Sequence, residues 1–407
     1  MESSNARVVI LGAGHAGGTV AALLRQYGFE GPVTLIGDEP IAPYQRPPLS
    51  KAWLKGEADA DSLQLKDPDW WAENAVDLRL GQTVTAIDRS GACVLTAAGA
   101  VPYDALVIAT GARARGLPLE GADLDGVLSL RTAADAEHLK ARLGPGRRLV
   151  IIGGGYVGLE AAASAVALGG TATVLEREAR VLARVASPAL SAFFEQAHRR
   201  RGVEILTGVS IEAIEGDGAV AAVRLTNGRR LACDAVLVGV GAQPNTELAA
   251  KAGLDCADGV LVSADARTSD PRIWAIGDVS RRPSVLYGGD VRFESVPNAL
   301  EQAKQVACAI AGRVQPPAEV PWFWSDQFEL KLQMAGMALD SDSQIVRGSP
   351  ADDRFAVFHL KGDVIRCVEA VNAPQEFMGG RLLIGRQARI DPARLADPTV
   401  SMKAVEA

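Results

Sequence analysis

The sequence predicts two α/β domains of similar construction followed by a smaller α+β domain. Two glycine turns carry this prediction, because each follows a run of four apolar residues that suits a buried parallel strand. Both turns have the spacing G-x-G-x-x-G, formed by Gly12, Gly14 and Gly17 and by Gly153, Gly155 and Gly158. The same order of predicted elements follows each turn. This pattern is typical of Rossmann-like dinucleotide-binding domains.

The composition is that of an ordinary globular protein, and it narrows the classes of function. The chain has 407 residues, a net charge of −7, 48% hydrophobic residues and 22% charged residues. The negative charge argues against nucleic acid as a partner. The apolar runs have the length of strands and are interrupted by glycine, so we expect no membrane span. No basic-then-apolar leader precedes the first strand, and we therefore expect a cytoplasmic protein.

The five cysteines and four histidines are scattered along the chain. No two cysteines have C-x-x-C spacing, and the histidines lack the spacing of metal ligands. This pattern suits a reducing compartment and predicts neither a disulfide framework nor a metal site. His15 differs from the other histidines because it lies within the first glycine turn, where it either contacts a nucleotide or is an isolated side chain.

The first module begins with a predicted strand at 7–12, a helix at 14–27 and a strand at 33–36. Asp38 or Glu39 then stands where this fold places a carboxylate on the adenosine ribose, with plain loop charges as the alternative. The module continues with a stiff proline-rich loop at 40–51, a helix at 67–74 and strands at 83–88, 93–97 and 101–110.

The second module repeats this order from residue 148 onward. Its first elements are a strand at 148–152, a helix at 156–168 and a strand at 171–175 that ends at Glu176. A helix at 187–201 follows, and then strands near 203–206, 209–215, 219–225, 229–233 and 235–241. The repeated order indicates duplication of a whole domain.

The remaining sequence completes the first module and adds a third. A strand that ends at Gly277–Asp278 precedes a helix from about 296 to 311, with Pro297 in its first turn. Strands at 343–348, 354–360 and 364–371 and a helix at 374–386 form the predicted C-terminal meander. The predicted domains are 1–115 with 247–319, 116–246, and 320–407.

Six further motifs resemble those of flavoprotein reductases with two dinucleotide-binding domains and a glutathione-reductase-like architecture. They are YQRPPLSK at 44–51, ATGA at 109–112, GVGAQPN at 239–245, AIGD at 275–278, SVPNA at 295–299 and PWFWSDQ at 321–327. Within that group the sequence is similar to ferredoxin reductases of the putidaredoxin reductase type, which serve bacterial cytochrome P450 and aromatic-ring dioxygenase systems. The resemblance covers nearly the whole chain. It implies FAD in the first domain and NADH in the second.

The resemblance assigns a set of residues to FAD. The set is Gly12, Gly14, His15, Ala16, Gly17, Asp38, Arg46, Lys51, Val84, Thr110, Gly111, Asp278, Val296 and Trp324. Asp278 would bind the ribityl chain, and Val296 and Trp324 would border the isoalloxazine ring. Trp322 is left open between a flavin contact and a core position.

A second set is assigned to NADH. It comprises Gly153, Gly155, Tyr156, Val157, Gly158, Glu176 and Gly241. Glu176 suits a ribose 2′-hydroxyl and would repel a 2′-phosphate, which favours NADH over NADPH. Arg177 beside it argues the other way, because arginine accommodates a phosphate. Gly241 would lie near the nicotinamide.

Lys51, Glu160 and Trp324 are the predicted catalytic residues. The resemblance implies that Lys51 lies near the flavin N5 atom and that Glu160 faces the site where nicotinamide stacks on the flavin. We hypothesise an ion pair between Lys51 and Glu160 that orients the lysine. The alternative is two solvated charges at the mouth of the cleft.

The expected electron acceptor is a [2Fe-2S] ferredoxin. Disulfide reductases and NADH peroxidases need a redox cysteine in the N-terminal flavin region, whereas the first cysteine here, Cys93, lies in the predicted meander. A rubredoxin as acceptor, or an NADH-responsive role of the apoptosis-inducing-factor type, are the alternatives. Docking would be electrostatic, with candidates at Lys304, Arg313 and Lys331, and also at Arg281 and Arg282.

Overall fold

The computed structural model describes residues 5–407. The chain divides into two compact units. Unit 1 comprises Met1–Gln45, Ala60–Arg113 and Gln243–Pro321, and unit 2 comprises Arg46–Asp59, Ala114–Ala242 and Trp322–Ala407. This division differs from the predicted domains in two ways. Residues 46–59 belong to unit 2, and the C-terminal segment is grouped with residues 114–242, so the three-domain division stays a prediction.

The described chain alternates short strands and helices. The helices are α1 His15–Gln26, α2 Ala52–Lys55, α3 Ala60–Leu63, α4 Pro68–Glu73, α5 Ala133–Lys140, α6 Tyr156–Ala167, α7 Pro188–Arg200, α8 Glu247–Lys251, α9 Val296–Ile310, α10 Pro374–Arg386 and α11 Pro392–Ala396. Single 3₁₀ turns lie at Pro47–Ser50, Gly277–Val279 and Pro350–Asp352.

The strands before residue 210 are β1 Val8–Leu11, β2 Val33–Ile36, β3 Val76–Arg79, β4 Val84–Asp88, β5 Cys93–Thr96, β6 Gly99–Pro102, β7 Ala105–Ile108, β8 Ala112–Ala114, β9 Val127–Leu128, β10 Arg148–Ile152, β11 Thr171–Glu176 and β12 Glu204–Thr207. Those after it are β13 Ile211–Asp217, β14 Ala219–Leu225, β15 Arg230–Ala232, β16 Ala235–Val238, β17 Ala242–Pro244, β18 Cys256–Ala257, β19 Gly259–Leu261, β20 Ile273–Ala275, β21 Ser280–Pro283, β22 Asp290–Val291, β23 Trp322–Gln327, β24 Leu330–Gly336, β25 Ser343–Ser349, β26 Arg354–Lys361 and β27 Val364–Val371.

Unit 1 is built on a five-stranded parallel sheet in the order β20-β7-β1-β2-β3. Its central strands are buried at every position, as expected for a sheet covered on both faces. Helices α1 and α9 pack against each other and share a core with Ile10, Val107 and Trp274. Full burial of such a side chain stabilises the fold by roughly 1.5–3 kcal/mol. The sheet therefore forms a rigid platform for the turn that follows β1.

Unit 2 repeats that platform with a five-stranded parallel sheet in the order β12-β11-β10-β16-β9. Strand for strand, β10, β11, β12 and β16 take the places of β1, β2, β3 and β7. Each unit also has a three-stranded antiparallel sheet, β4-β5-β6 in unit 1 and β13-β14-β15 in unit 2. The predicted duplication of a whole domain is confirmed by this topology.

Unit 2 also contains an antiparallel sheet in the order β23-β24-β27-β26-β25, against which α10 packs. The sequence predicted only its last three strands. Strands β23 and β24 were missed because the tryptophan-rich segment at 321–327 was identified only by its motif. Another predicted boundary differs: β20 ends at Ala275, and Gly277 and Asp278 lie in the 3₁₀ turn after it.

Candidate functional site

The first glycine turn connects β1 to α1 in unit 1. Gly12 has φ +104°, and a Cβ atom there would lie 2.3 Å from the carbonyl oxygen of Ala109. A Cβ atom on Gly17 would lie 1.9 Å from the carbonyl oxygen of Gly12. Gly14 precedes the first helical residue, His15, and no side chain caps the helix or places an acid in its first turn. The helix N-terminus is thus suited to an anion such as a pyrophosphate.

The acidic residues after β2 are separated by the structure. Glu39 accepts a hydrogen bond from the Tyr44 hydroxyl at 2.6 Å, whereas Asp38 is exposed. The hydrogen bond fixes the Glu39 side chain on the proline-rich loop. Asp38 is therefore the better placed of the two for a ribose, and its assignment stays a prediction.

Other residues predicted to contact FAD lie at strand ends and helix starts of unit 1. Thr110 and Gly111 follow β7, and the Thr110 hydroxyl donates to the carbonyl of Asn245 at 3.0 Å. Val296 is the first residue of α9, and the N-cap residue Ser295 accepts from the backbone of Asn298 at 3.3 Å.

Two further predicted residues take less regular positions in unit 1. Val84 is half-buried at the start of β4, opposite Thr96. Asp278 is half-buried in the 3₁₀ turn, and the backbone N–H of Gly277 in that turn donates to Gln302 Oε1 at 2.7 Å. Gln302 thereby fixes the turn, and it was not predicted from the sequence.

The second glycine turn has the same construction in unit 2. Gly153 has φ +107°, and a Cβ atom there would lie 2.3 Å from the carbonyl oxygen of Gly239. A Cβ atom on Gly158 would meet the Gly153 carbonyl at 2.5 Å. At Gly155, the residue before the helix, a Cβ atom would meet no protein atom within 4 Å. This open space in front of a helix N-terminus fits the approach of a pyrophosphate.

Glu176 ends β11 beside this turn. Its carboxylate accepts from the backbone N–H of Gly154 at 2.8 Å and from that of Glu178 at 2.8 Å. Each oxygen retains a further lone pair for a ribose hydroxyl. Arg177 points outward, with its side chain 82% exposed and its guanidinium paired with Glu178 at 3.3 Å. The carboxylate, and not the arginine, is therefore held against the glycine turn.

The remaining residues assigned to NADH flank the turn. Val157 is 45% exposed, and Tyr156 is half-buried with its ring 4.5 Å from that of Phe323. Burial raises the pKa of the Tyr156 phenol well above its ordinary value, so the hydroxyl stays protonated. Gly241 is exposed and has φ +104°, a conformation that favours glycine.

The predicted ion pair between Lys51 and Glu160 is present in unit 2. Lys51 Nζ lies 2.8 Å from Glu160 Oε2, and the two side chains are 18% and 6% exposed. Lys51 Nζ also donates to the carbonyl of Pro47 at 3.0 Å. The alternative of two solvated charges is wrong, because Glu160 is buried in α6 and its carboxylate is paired with the Lys51 ammonium within unit 2.

Two serines that were not predicted from the sequence complete the surroundings of Glu160. Ser50 Oγ donates to Glu160 Oε2 at 2.5 Å, and Ser325 Oγ donates to Glu160 Oε1 at 2.6 Å. Each carboxylate oxygen therefore accepts a hydroxyl, as a buried charge requires. The signal in the sequence was that each serine lies within a family-like motif, YQRPPLSK or PWFWSDQ, next to a predicted site residue, Lys51 or Trp324.

Two other residues predicted to contact FAD belong to unit 2. Arg46 donates to the carbonyl of Arg131 at 2.6 Å. Trp324 is half-buried on β23, with its ring 5.6 Å from that of Trp322. Trp322 also packs against Phe377 of α10 at 5.7 Å, which favours the core position for Trp322.

The candidate docking residues differ in exposure. Lys304 and Arg313 are exposed in unit 1, and Lys331 is exposed in unit 2. The inclusion of Arg282 was wrong, because this residue is only 8% exposed and pairs with buried Glu301 at 3.0 Å. A buried, paired arginine stabilises the interior of unit 1 and is not available to a partner.

The cysteines of the chain are all free thiols. Cys233, Cys308 and Cys367 are buried, and burial raises the pKa of Cys233 to about 11. Within residues 5–407 no group of three or more histidine, cysteine or acidic residues could hold a metal ion. Over the same residues no helix has the length and apolar character to cross a membrane.

Comparison with known proteins shows that two family models match the sequence. The family described as pyridine nucleotide-disulphide oxidoreductase matches residues 6–303, and the one described as reductase C-terminal matches residues 322–406. The second match coincides with the segment that carries Trp324, Ser325 and the five-stranded antiparallel sheet of unit 2.

Proteins similar over nearly the whole chain were also found. A probable ferredoxin reductase of Castellaniella defragrans is 51% identical, with 99% of both chains covered. Putidaredoxin reductase of Pseudomonas putida is 44% identical, covering 99% of this chain and 97% of that protein. The reductase in a crystal structure of the covalent putidaredoxin reductase–putidaredoxin complex has a TM-score of 0.96, 44% identity and 98% coverage of both chains.

Proposed function

The chain belongs to the pyridine nucleotide-disulphide oxidoreductase family, and from that premise we propose that it is an NADH-dependent ferredoxin reductase. Its electron acceptor is a [2Fe-2S] ferredoxin that serves an oxygenase, such as a cytochrome P450. The observation that carries the proposal is end-to-end similarity to proteins named as ferredoxin reductases.

The cofactors are FAD and a nicotinamide nucleotide. When bound, FAD accepts a hydride and releases electrons singly, which is the chemistry that a ferredoxin requires. The turn at Gly12 in unit 1 fits the FAD pyrophosphate, and the turn at Gly153 fits that of the nicotinamide nucleotide. Both supply a helix N-terminus without an acidic residue in its first turn. Thr110, Val296 and Asp278 would hold the rest of the FAD.

Glu176 would select NADH over NADPH. Its carboxylate is held by two backbone N–H groups and so cannot rotate away from the glycine turn without losing them. A 2′-phosphate placed beside this fixed negative charge would be repelled, whereas a 2′-hydroxyl would donate to it. Arg177 would not offset this effect, because it is exposed and paired with Glu178.

Lys51 and Glu160 would act on the hydride step. Their contact fixes a positive charge in a largely desolvated setting, where it exerts more electrostatic influence than in water. Replacement of Lys51 by alanine is expected to slow flavin reduction by NADH, at saturating NADH, without loss of bound FAD. An unchanged rate of flavin reduction would show that Lys51 takes no part in the hydride step.

The thiols of the chain take no part in the proposed electron transfer. The segment that carries Lys51 contains no cysteine, and Cys93 lies on β5. Electrons would therefore leave FAD directly for the acceptor. Free thiols throughout also suit a reducing compartment, so the proposal includes a cytoplasmic location. Lys304, Arg313 and Lys331 remain the proposed docking residues for an acidic ferredoxin.

An absorption spectrum tests the proposal. The purified holoprotein should show flavin bands that bleach when NADH is added without oxygen and return when oxidised [2Fe-2S] ferredoxin is added. NADPH at the same concentration should bleach them far more slowly. Rubredoxin is the control acceptor.

Three outcomes would contradict the proposal in different ways. Absence of flavin, or no bleaching by either nucleotide, would exclude the reductase. Recovery with rubredoxin but not ferredoxin would change the acceptor. Bleaching followed by very slow recovery with every acceptor would favour an NADH-responsive flavoprotein over an electron carrier.

A further inference from the structure

A chain of buried polar side chains leads from Glu160 into the interior of unit 2. Ser325 donates to Glu160 Oε1 at 2.6 Å, and Gln327 Nε2 donates to Ser325 Oγ at 3.1 Å. His198 Nε2 lies 2.8 Å from Gln327 Oε1. All three residues are fully buried. We call Ser325, Gln327 and His198 the donor chain.

We infer that the donor chain positions the carboxylate of Glu160 and, through it, the ammonium group of Lys51. The inference rests on the proposed function, because Lys51 and Glu160 are assigned there to the hydride step. None of the three members is proposed to touch a cofactor or substrate. They are positioning residues.

The direction of the hydrogen bonds supports this inference. The amide oxygen of Gln327 can only accept, so His198 must carry its proton on Nε2. Its Nδ1 atom is buried and has no hydrogen-bond partner among the described residues, as expected for the unprotonated nitrogen. Burial lowers the pKa of His198 to about 4, which keeps the ring neutral at pH 7. Every donor in the chain therefore points toward Glu160.

Aligned donors of this kind strengthen one another. Each hydrogen bond polarises the next, and the chain ends on an ionised group, where hydrogen bonds are strongest. A carboxylate otherwise rotates easily about its last side-chain bond. With Ser325 on Oε1 and Ser50 on Oε2, the plane of the Glu160 carboxylate is fixed from both sides.

The geometry of β23 explains how the sequence supplies these residues. Successive side chains of a strand point to opposite faces. Ser325 and Gln327 alternate with Trp324 and Asp326, and the first two are fully buried whereas the others are half-buried. One face of the segment thus forms the donor chain, and the other carries the tryptophan assigned to the flavin.

Lys51 depends on this arrangement because its other contacts are on one short segment. Its ammonium donates to the Pro47 carbonyl at 3.0 Å and lies 3.4 Å from Ser50 Oγ. Both groups belong to the 3₁₀ turn that precedes Lys51 in the chain. Glu160 is the contact that ties the ammonium to α6. A shift of the carboxylate would therefore shift the charge.

The kinetic test measures flavin reduction by NADH in the holoprotein under anaerobic stopped-flow conditions. Ser325→Ala should lower the limiting rate about tenfold, since an error of about 1 Å in placement can cost about a hundredfold. The apparent dissociation constant for NADH should stay unchanged. Gln327→Leu should have a smaller effect in the same direction. Ser191→Ala is the control, because it removes a buried serine of unit 2 that does not belong to the donor chain. This variant should leave the rate unchanged.

The second readout does not depend on activity. The protein has four histidines, so the ring nitrogens of His198 can be assigned by nitrogen NMR with a His198→Gln variant. The Nε2-protonated neutral form should persist from pH 5 to pH 8. Ser325→Ala should perturb these ring signals across the intervening glutamine. His198→Gln keeps a donor near the Nε2 position and should retain most of the rate, whereas His198→Leu should not.

Two results would overturn the inference alone. One is a limiting rate of flavin reduction in Ser325→Ala that equals the rate of the wild-type protein. The other is a His198 ring that is protonated on Nδ1 or charged. If NADH fails to reduce the wild-type flavin at all, the proposed function fails and this inference falls with it. A tenfold loss accompanied by release of FAD would point to a structural role of Ser325 and would also count against positioning.

Discussion

The two glycine turns have nearly the same backbone geometry, but the helices that begin after them differ. Gly12 and Gly153 have φ +104° and +107°, and at both a Cβ atom would lie 2.3 Å from a backbone carbonyl. After the turn, α1 contains Gly18, which lies close to Pro43. A Cβ atom added to Gly18 would lie 2.6 Å from the Cβ atom of Pro43. The matching position in α6 is Leu159, and the next residue is Glu160.

This difference separates the binding role proposed for the two turns from the role proposed for Glu160 in the hydride step. The turn itself is constrained by the backbone and is the same in both units, as the approach of a pyrophosphate would require. The first full turn of the helix after it is free to differ. In α1 the residues at this point are Gly18 and Thr19, and Gly18 packs against the proline-rich loop. In α6 the matching residue to Thr19 is Glu160, whose buried carboxylate contacts Lys51, Ser50 and Ser325.

The largest expected effect comes from breaking either turn. Gly12→Ala and Gly153→Ala each add a Cβ atom against a backbone carbonyl at a positive φ, and should destabilise the protein by more than about 4 kcal/mol. Gly155→Ala is the matched control, because its Cβ atom would meet no protein atom within 4 Å. That variant should unfold at the wild-type temperature yet bind NADH weakly. A wild-type affinity for NADH in Gly155→Ala would show that no pyrophosphate approaches there.

Next in size is removal of the carboxylate that distinguishes the two helices. Glu160→Ala leaves the Lys51 ammonium partly buried without its counter-charge, which should cost about 3–5 kcal/mol in the free energy of unfolding. Thr19→Ala, at the matching position of α1, should cost less than about 1 kcal/mol. Urea denaturation of both variants measures the contrast. Equal losses would mean that the two helices do not differ in this way.

A third comparison uses pH, because the buried histidine of the donor chain has no counterpart in unit 1. The pKa of His198 falls from an ordinary 6.5 to about 4, chiefly by burial, with a smaller contribution from Arg201. Between these values only the unfolded chain binds the proton, so stability is full above pH 6.5 and declines as pH falls toward 4. The expected loss from this residue is about 3 kcal/mol.

Denaturant titrations at pH 7 and pH 5 test this expectation. His198→Gln should remove much of the acid destabilisation. His138→Gln, which replaces an exposed histidine, should retain it. An identical pH dependence of stability in wild type and His198→Gln would contradict a depressed histidine pKa.

A smaller effect separates Glu176 and Asp38, the two carboxylates proposed to bind ribose. Glu176→Gln should weaken NADH binding about tenfold and reduce discrimination against NADPH, because a charged acceptor is replaced by a neutral amide. Asp38→Asn should leave NADH binding unchanged and instead weaken FAD retention. Titrations with both nucleotides and the flavin content of the purified variants give the comparison. Loss of NADH affinity in Asp38→Asn would reverse the assignment of the units.

The smallest effect concerns an ion pair that both units possess. Arg7 binds Asp104 and Arg148 binds Asp234, each through its backbone N–H and its guanidinium. The Arg7 guanidinium lowers the pKa of Asp104 to about 2. Both arginines are exposed, so water and salt screen the pairs. Arg7→Ala and Arg148→Ala should lower the melting temperature slightly at low salt and not at high salt.

Much of the fold could be predicted because it rests on local patterns. Four apolar residues before Gly12 or Gly153 specify a buried strand whatever lies elsewhere. The segment around β23 shows the opposite case, since its tryptophans, serine and glutamine have no clear apolar alternation. It forms a strand because the neighbouring strand β24 supplies its hydrogen bonds. Tertiary context of this kind is not visible in a single sequence.

Local sequence was enough to specify the two glycine turns and their order, whereas the pairing of Lys51 with Glu160 was a hypothesis built on the family resemblance. Glycine at a positive φ and a carboxylate after a strand are requirements of a few neighbouring residues, so they leave a local trace. The folded molecule was needed to show that Ser50, Ser325 and Gln327 surround that pair, that Arg282 is buried, and that Glu39 is held by Tyr44. Burial and long-range hydrogen bonds depend on which segments meet when the apolar surface is removed from water, and that is a property of the whole fold.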